Sequence, residues 1–129
     1  MKNIEELVKN RVGDIEKGAQ HDMTQAAREL GFPLPLYVTS AIKSNYIKPD
    51  QESREKGEDE KSRLKQILDK LIYEIREHRQ RSRSNIIKFE VSLTRNGKSE
   101  KADFISYIGQ ISKDNKNPCI TITLQNEIQ

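Results

Sequence analysis

Apolar side chains recur at helical spacing in the first two thirds of the chain and at alternate positions in the last third. The strongest helical pattern covers residues 60–80, with the sequence EKSRLKQILDKLIYEIREHRQ. Its apolar positions are Leu64, Ile67, Leu68, Leu71, Ile72 and Ile75. This spacing, with charged residues between, predicts a long helix with one apolar stripe that packs on another element.

The last third has the alternation typical of half-buried strands. One run places Ile87, Phe89, Val91 and Leu93 on one face. Asn96-Gly97 then predicts a tight hairpin turn, because such turns need positive φ angles that Asn and Gly adopt. A returning strand is predicted near residues 102–110, and a third near 119–127. The two faces of the third strand hold Ile120, Ile122 and Leu124, and Thr121 and Thr123.

The N-terminal third predicts short helices. One amphipathic helix is expected from Asn3 as cap to Gly18 as terminator. Its apolar positions are Ile4, Leu7, Val8, Val12 and Ile15. A second helix is capped by Asp22 or Thr24 and ends at Gly31. The following FPLPL forces extended backbone, and Thr39 caps a third short helix.

These elements predict an α+β fold in a single domain spanning residues 1–129. The N-terminal helices and the long amphipathic helix would pack on a C-terminal antiparallel three-stranded meander. The segment 48–59, KPDQESREKGED, is polar throughout and contains Pro49 and Gly57. It predicts a surface loop that could close over a ligand or remain solvated.

Composition limits the classes of protein that the chain can represent. Only 33% of the residues are hydrophobic and 5% are aromatic, so we expect an oligomer that completes its core with a partner subunit. The net charge of +3 permits an anionic partner without indicating one. Cys119 is the only cysteine, and the sequence shows neither a signal peptide nor a membrane span, so a cytoplasmic protein is expected.

The stretch MTQAARELGFPLPLYVTSAIKSNY has some features of a helix-turn-helix motif. Ala27 and Gly31 suit the first helix and the turn. Pro33 and Pro35, however, fall where a recognition helix would begin. The TSAIKSNY segment that follows has Lys43 as its only basic residue. The Arg-rich stretch REHRQRSRS is explained by helix-terminal charge or by an anion site. A small DNA-binding regulator of a phage or plasmid is therefore the alternative hypothesis.

The sequence argues against an enzyme. No HExxH, GxSxG, CxxC or glycine-rich phosphate loop occurs, and His21 and His78 lie far apart in sequence. The sequence therefore predicts no catalytic residue, metal site or cofactor.

Two arginines and one phenylalanine are candidate ligand contacts. Arg28 directly precedes a stiff Gly and Pro segment, and either binds a phosphate or forms a surface ion pair. Arg63 lies at the border of the apolar stripe and either pairs with Asp59 or reaches into a pocket. Phe89 is either ordinary core or a ring on which a base stacks.

Three segments resemble a family of small phage and plasmid proteins over about residues 20–127. They are HDMTQAARELGFPLPLYVTSAI, DEKSRLKQILDKL and PCITITLQNE, although Ser62 replaces a common Gly and Lys43-Ser44 a common Trp. The family is similar to the Thoeris anti-defence proteins of the first type, which sequester a signalling nucleotide. The resemblance implies binding of glycocyclic ADP-ribose, a product of bacterial TIR-domain sensors, without cleavage.

The resemblance also implies site residues and partners. Arg28 and Arg63 would contact phosphate or ribose, and Phe89 would stack on adenine. Further contacts would come from Asn96 and Lys116. Cyclic trinucleotides are further expected ligands, and dimers or hexamers built from dimers are the expected assemblies. A messenger-degrading enzyme is the third hypothesis.

Overall fold

The computed structural model describes residues 3–79, 84–95 and 97–128, and the side chains of Arg79 and Arg95 are outside that description. The helices of the described chain are α1 (Ile4–Lys9), α2 (Arg11–Lys17), α3 (Thr24–Glu29), α4 (Ser40–Ile42), α5 (Gln51–Glu55) and α6 (Glu60–Arg79). The strands are β1 (Gln20–Asp22), β2 (Leu36–Thr39), β3 (Ile86–Arg95), β4 (Lys98–Gln110) and β5 (Pro118–Leu124). The predicted α+β class is confirmed.

The strands form one five-stranded sheet in the order β1-β2-β5-β4-β3. The predicted antiparallel meander of β3, β4 and β5 is present, but the predicted number of three strands is wrong. β2 adds to β5 in parallel, and β1 adds to β2 antiparallel. Both added strands have four residues or fewer, so neither displays a readable alternation.

The main core lies between α6 and one face of the sheet, here called the inner face. The predicted apolar stripe of α6 is confirmed, since Leu64, Ile67, Leu68 and Leu71 are buried. Phe89, Phe104 and Ile122 meet it from β3, β4 and β5. The N-terminal half of α6 also packs against α3 and the helical segment that follows Thr39. This arrangement fixes the start of α6 relative to the polar segment before it.

The opposite face of the sheet, the outer face, is covered at one end by the N-terminal helices. α1 packs against β4 and α2 against β1. Thr121 and Thr123 lie on this face and are fully buried. The Thr123 hydroxyl donates to Glu127 Oε2 at 2.8 Å, and the Thr39 hydroxyl does the same at 2.8 Å. The buried hydroxyls of Thr39 and Thr123 are therefore both satisfied by the Glu127 carboxylate.

The single N-terminal helix expected over residues 3–18 is two helices that meet at Asn10. The Asn3 cap and the left-handed terminator Gly18 are confirmed. The predicted stripe is wrong beyond Val8, because α2 exposes Val12 and Ile15 and buries Arg11 and Asp14. The reason is a hydrogen-bonded polar cluster under α2, which is described with the site below.

The region predicted as a possible helix-turn-helix is helix, strand and helix. Strand β2 lies where a recognition helix would have to be. This agrees with the expectation that Pro33 and Pro35 prevent a helix there. Asp22 Oδ1 accepts from Thr24 N at 2.9 Å at the start of α3, and Gly31 has a φ of 85° after it. Thr39 caps α4, which continues directly into a π-helix, Lys43–Ile47.

The segment 48–59 is polar, as predicted, but it contains helix α5 and two buried residues, Pro49 and Ser53. It is thus an ordered cover over the start of α6 rather than a plain loop. None of the helices within the described residues has the length and apolarity needed to cross a bilayer.

Candidate anion-binding site

Arg63 lies in the first turn of α6, and two reciprocal caps fix that turn. Ser62 N donates to Asp59 Oδ1 at 2.8 Å, and Asp59 N donates to Ser62 Oγ at 3.0 Å. Each bond satisfies a backbone N–H at the helix start with a side-chain oxygen. Arg63 follows directly, on the side of α6 that faces α5 and the end of β3.

The Arg63 side chain is only 2% exposed and sits among oxygen acceptors. Its Nη2 donates to Ser53 Oγ at 3.0 Å and to Glu58 Oε2 at 3.4 Å. Nη2 also donates to the carbonyl of Thr94, and Asp50 Oδ1 lies 3.6 Å away. The buried charge is therefore paired with two carboxylates, as a buried guanidinium requires.

Arg63 Nε has no hydrogen-bond partner within the described part of the chain. A buried donor without an acceptor costs free energy, because it has lost its bonds to water and gained none in return. An anion that reached this donor would remove that cost. The guanidinium is thus both anchored and incompletely satisfied.

A polar cavity of about 320 Å³ adjoins Arg63. Its lining residues are Ser44, Asn45, Lys48, Pro49, Asp50, Arg54 and Arg63. Lys48, Arg54 and Arg63 are cationic, whereas Asp50 is the one carboxylate among the described lining residues. Ser44 and Asn45 come from the π-helix, a rare conformation that is frequent at functional sites. We call this cavity the Arg63 pocket; its size and charge suit a phosphate group and an adjoining sugar.

Arg28 lies outside the Arg63 pocket. It is exposed on α3, and within the described residues its side chain makes neither a hydrogen bond nor an ion pair. The alternative of a surface ion pair is therefore not realised in the described chain. The guanidinium is free to meet a partner, and its predicted ligand role stays a prediction.

Phe89 is part of the main core. It is 4% exposed, and its ring packs edge-on to Phe104 with 5.6 Å between centroids. The core interpretation from the sequence is confirmed. The stacking role implied by the resemblance stays a prediction, and it would require a ring face that the core covers in this structure.

The sequence also predicted two weaker candidates, Asn96 and Lys116. Asn96 lies outside the described residues. Lys116 is exposed in the turn between β4 and β5 and is absent from the lining of the Arg63 pocket. Of the Arg-rich stretch, Arg76 is described and exposed, whereas Arg81 and Arg83 lie outside the described chain. Of the four predicted site residues that the structure describes, the fold thus places one, Arg63, in a charged pocket.

The sequence did not indicate Lys48 or Arg54 as site residues. Both belong to the segment that looked like a solvated loop. The link between this segment and Arg63 is Ser53, a small polar residue of α5 whose Oγ accepts a hydrogen bond from Arg63 Nη2. A serine within a polar run carries no periodic pattern, so this role is visible only in three dimensions.

A second buried arginine, Arg11, lies beneath α2 and has a full set of partners. Its Nε donates to the Ile111 carbonyl at 2.7 Å and its Nη1 to Gln20 Oε1 at 2.9 Å. The guanidinium lies 4.1 Å from the Tyr37 ring centroid, and Nη2 lies 3.6 Å from Cys119 Sγ. This cluster joins the N-terminal helices to the sheet, and each of the three guanidinium nitrogens of Arg11 has a hydrogen-bond partner within it.

Burial shifts the acid-base properties of this cluster. It lowers the pKa of the Arg11 guanidinium, an effect that the nearby Cys119 and Tyr37 oppose. It raises the pKa of the Cys119 thiol, which Arg11 opposes. A thiol with a raised pKa is a poor nucleophile at neutral pH. Across the described residues, no group of three or more His, Cys, Asp or Glu side chains could hold a metal ion.

Comparison of the chain with protein-family models, with curated proteins and with solved structures finds no match.

Proposed function

We propose that this protein binds and sequesters an anionic signalling nucleotide in the cytoplasm of a bacterial host. The ligand is a cyclic ADP-ribose isomer of the kind that TIR-domain sensors produce, with glycocyclic ADP-ribose as the expected one. Held intact by the protein, the messenger would not reach its effector, and Thoeris-type immunity would not be activated. Cyclic oligonucleotides are additional ligands in this proposal.

The observation that carries the proposal is the Arg63 guanidinium, which is buried and lines a cationic pocket, while its Nε has no hydrogen-bond partner among the described residues. Arg63 also belongs to the DEKSRLKQILDKL segment, one of the three that resemble the anti-defence family. Sequence resemblance and local chemistry therefore support the same residue independently.

The pocket suits recognition of phosphate. Asp50 and Glu58 hold the Arg63 guanidinium in place, so its geometry is set before a ligand arrives. Lys48 and Arg54 add positive charge at the rim, where a pyrophosphate carries two negative charges. A preformed cationic pocket loses little entropy on binding, which favours the tight retention that sequestration requires.

Arg28 supplies the second cationic group of the proposal. It is exposed on α3, which packs against α6. A cyclic dinucleotide-like ligand is larger than the Arg63 pocket, so groups beyond the pocket would bind the rest of it. Assembly of subunits, as the resemblance implies, would supply such groups.

Recovery of the ligand tests the proposal directly. The purified protein is incubated with lysate from cells whose TIR sensor has been triggered, separated, heated and analysed by mass spectrometry for released nucleotides. Intact cyclic ADP-ribose isomer is expected. A linear or fragmented product would indicate an enzyme instead, and an empty protein beside free messenger would overturn the proposal.

Two matched variants locate the site in the same assay. Arg54→Ala removes a cation from the lining and should reduce the recovered ligand at least tenfold, as loss of a charge-assisted contact does. Arg76→Ala removes an exposed arginine near the other end of α6 and should leave recovery unchanged. Salt-sensitive retention on duplex DNA in place of nucleotide release would favour the DNA-binding alternative.

A further inference from the structure

Strand β3 forms one edge of the sheet, and it is unusually long for an edge. It spans ten residues and pairs continuously with β4 from Ile86↔Tyr107 to Arg95↔Lys98. This register has no bulge, and the strand contains no proline. The opposite edge, β1, has only three residues. Long, regular edge strands are templates for pairing with another chain.

Alternate residues of β3 direct their backbone groups away from β4. The Thr94 carbonyl accepts from Arg63 Nη2 and Ser53 Oγ, so it points to the open side. Ile86 points the same way, because its N–H donates to Ser84 Oγ at 3.2 Å. In an antiparallel ladder the residues between them at every second position share that direction.

Lys88, Glu90 and Ser92 therefore present N–H and C=O groups on the open side, and within the described residues nothing bonds to them. We call these three residues the free edge of β3. The contacts at Ile86 and Thr94 limit it at both ends. Its side chains are exposed on the outer face of the sheet. Unpaired backbone groups in a regular strand are the main requirement for strand addition.

We propose that the free edge of β3 pairs with the free edge of a second copy of this chain. The two strands run antiparallel about a two-fold axis at Phe89, which joins two five-stranded sheets into one. An isologous contact of this kind needs a self-complementary surface. The charges of the free edge provide it.

The register follows from charge and from the ladder. Lys88 of each copy lies opposite Glu90 of the other, and these residues have open-side backbone groups on both strands. Sliding one strand by two residues in either direction is the smallest shift that keeps the open-side backbone groups facing each other. It places Glu90 opposite Glu90 or Lys88 opposite Lys88. Like charges directly opposite each other destabilise a strand pair. One arrangement therefore matches both the backbone groups and the side chains.

A neighbouring contact favours the same register. Lys101 Nζ on β4 lies 3.9 Å from Glu90 Oε1 within one chain. In the dimer, Glu90 would lie between Lys101 of its own chain and Lys88 of the other copy. The lysine and glutamate of each free edge would form two symmetric ion pairs across the new ladder.

Charge reversal with rescue tests the pairing, and it requires no nucleotide, so it is independent of the proposed function. The mass of the purified full chain is measured by light scattering over a dilution series. A dimer is expected for the natural sequence. Lys88→Glu alone and Glu90→Lys alone should each weaken it about tenfold or more, since two opposite-charge pairs become like-charge pairs. The double variant should restore it.

Two further variants exclude indirect effects. Lys113→Glu makes the same charge change in the exposed turn between β4 and β5 and should leave the dimer intact. Glu90→Pro removes an N–H from the open side without removing a bond to β4. This variant should be a monomer by light scattering and folded by circular dichroism. In mixed dimers of ¹⁴N and ¹⁵N chains, carbodiimide should join Lys88 of one copy to Glu90 of the other.

Each outcome of these experiments either supports or overturns the proposed dimer contact. A natural chain that stays monomeric at every concentration overturns the proposal. So does an assembly that resists both single charge reversals and Glu90→Pro, because it would use another surface. A larger assembly that the single reversals split and the double variant restores supports the same contact within a bigger oligomer.

Discussion

Arg28 and Arg63 lie on helices that pack together, but their surroundings differ. Arg63 is buried and holds Ser53, Asp50 and Glu58 in place, so replacing it would break the local fold together with any site. Arg28 is exposed and unpaired within the described residues. Arg28 is therefore the residue at which binding can be tested apart from folding.

Arg28→Ala should weaken nucleotide binding strongly and leave stability unchanged. Loss of a charged contact to phosphate should lower the affinity at least tenfold by calorimetry. The free energy of unfolding should change by less than about 0.5 kcal/mol, because an exposed side chain without partners is removed. A large fall in melting temperature would instead reveal a structural role for Arg28.

Cys119 should make stability depend on alkaline pH. The unfolded thiol loses its proton near pH 8.5, whereas burial raises the pKa of the folded thiol. Above pH 8.5 the unfolded state therefore binds fewer protons than the native state, and the free energy of unfolding falls as pH rises. Urea unfolding between pH 7 and 9.5 should show this slope, and Cys119→Ala should flatten it. An identical slope in both proteins would contradict the assignment.

At the scale of elements, α2 shows how a polar cluster can overrule an apolar pattern. Val12 is 64% exposed and Arg11 is 1% exposed, the reverse of what the residue types suggest. The guanidinium ties α2 to the Ile111 carbonyl and to Gln20, and Gln20 Nε2 in turn donates to the Leu7 carbonyl at 2.8 Å. Arg11 and Gln20 together link both N-terminal helices to the rest of the fold.

Arg11→Ala should therefore destabilise the protein far more than Val12→Ala. The arginine variant leaves buried acceptors without donors, which should lower the free energy of unfolding by about 3 kcal/mol. The valine variant should change it by less than about 0.5 kcal/mol. Chemical denaturation of the two variants measures the difference. Equal effects would mean that Arg11 does not anchor the N-terminal helices.

The elements that could be predicted are those whose periodicity survives in the sequence. α6 has six apolar positions on one stripe, and β3 has four alternate apolar positions. β1 and β2 could not be found, since Leu36, Tyr37, Val38 and Thr39 are all buried and show no alternation. The same limit applies to the site: Arg63 was found near the stripe of α6, whereas Lys48 and Arg54 needed the placement of α5.

At the scale of the whole molecule, the proposed site and the free edge of β3 meet at one residue. The Thr94 carbonyl accepts from Arg63 and Ser53 and thereby limits the free edge. The α5 cover, the start of α6 and the end of β3 are thus linked through the Arg63 guanidinium. A ligand at the Arg63 pocket should consequently stabilise a large part of the molecule rather than one loop.

A ligand that binds only the native state raises the free energy of unfolding by an amount set by its concentration. At a ligand concentration about one hundred times the Kd, the gain is about 2.7 kcal/mol. For a domain of this size, that gain corresponds to a rise of about 10 °C in melting temperature. Purified glycocyclic ADP-ribose should produce this rise in a thermal melt of the natural chain.

The same melt distinguishes binding from turnover. A sequestered ligand should maintain the stabilisation after hours of incubation, whereas a ligand that the protein degrades should lose it with time. Arg28→Ala should lose about half of the rise or more at the same ligand concentration, because a tenfold weaker affinity leaves a gain of about 1.4 kcal/mol. Arg76→Ala should show the full rise. A natural chain whose melting temperature does not respond to any cyclic ADP-ribose isomer or cyclic oligonucleotide would contradict the proposed function, while the dimer contact would remain open to its own test.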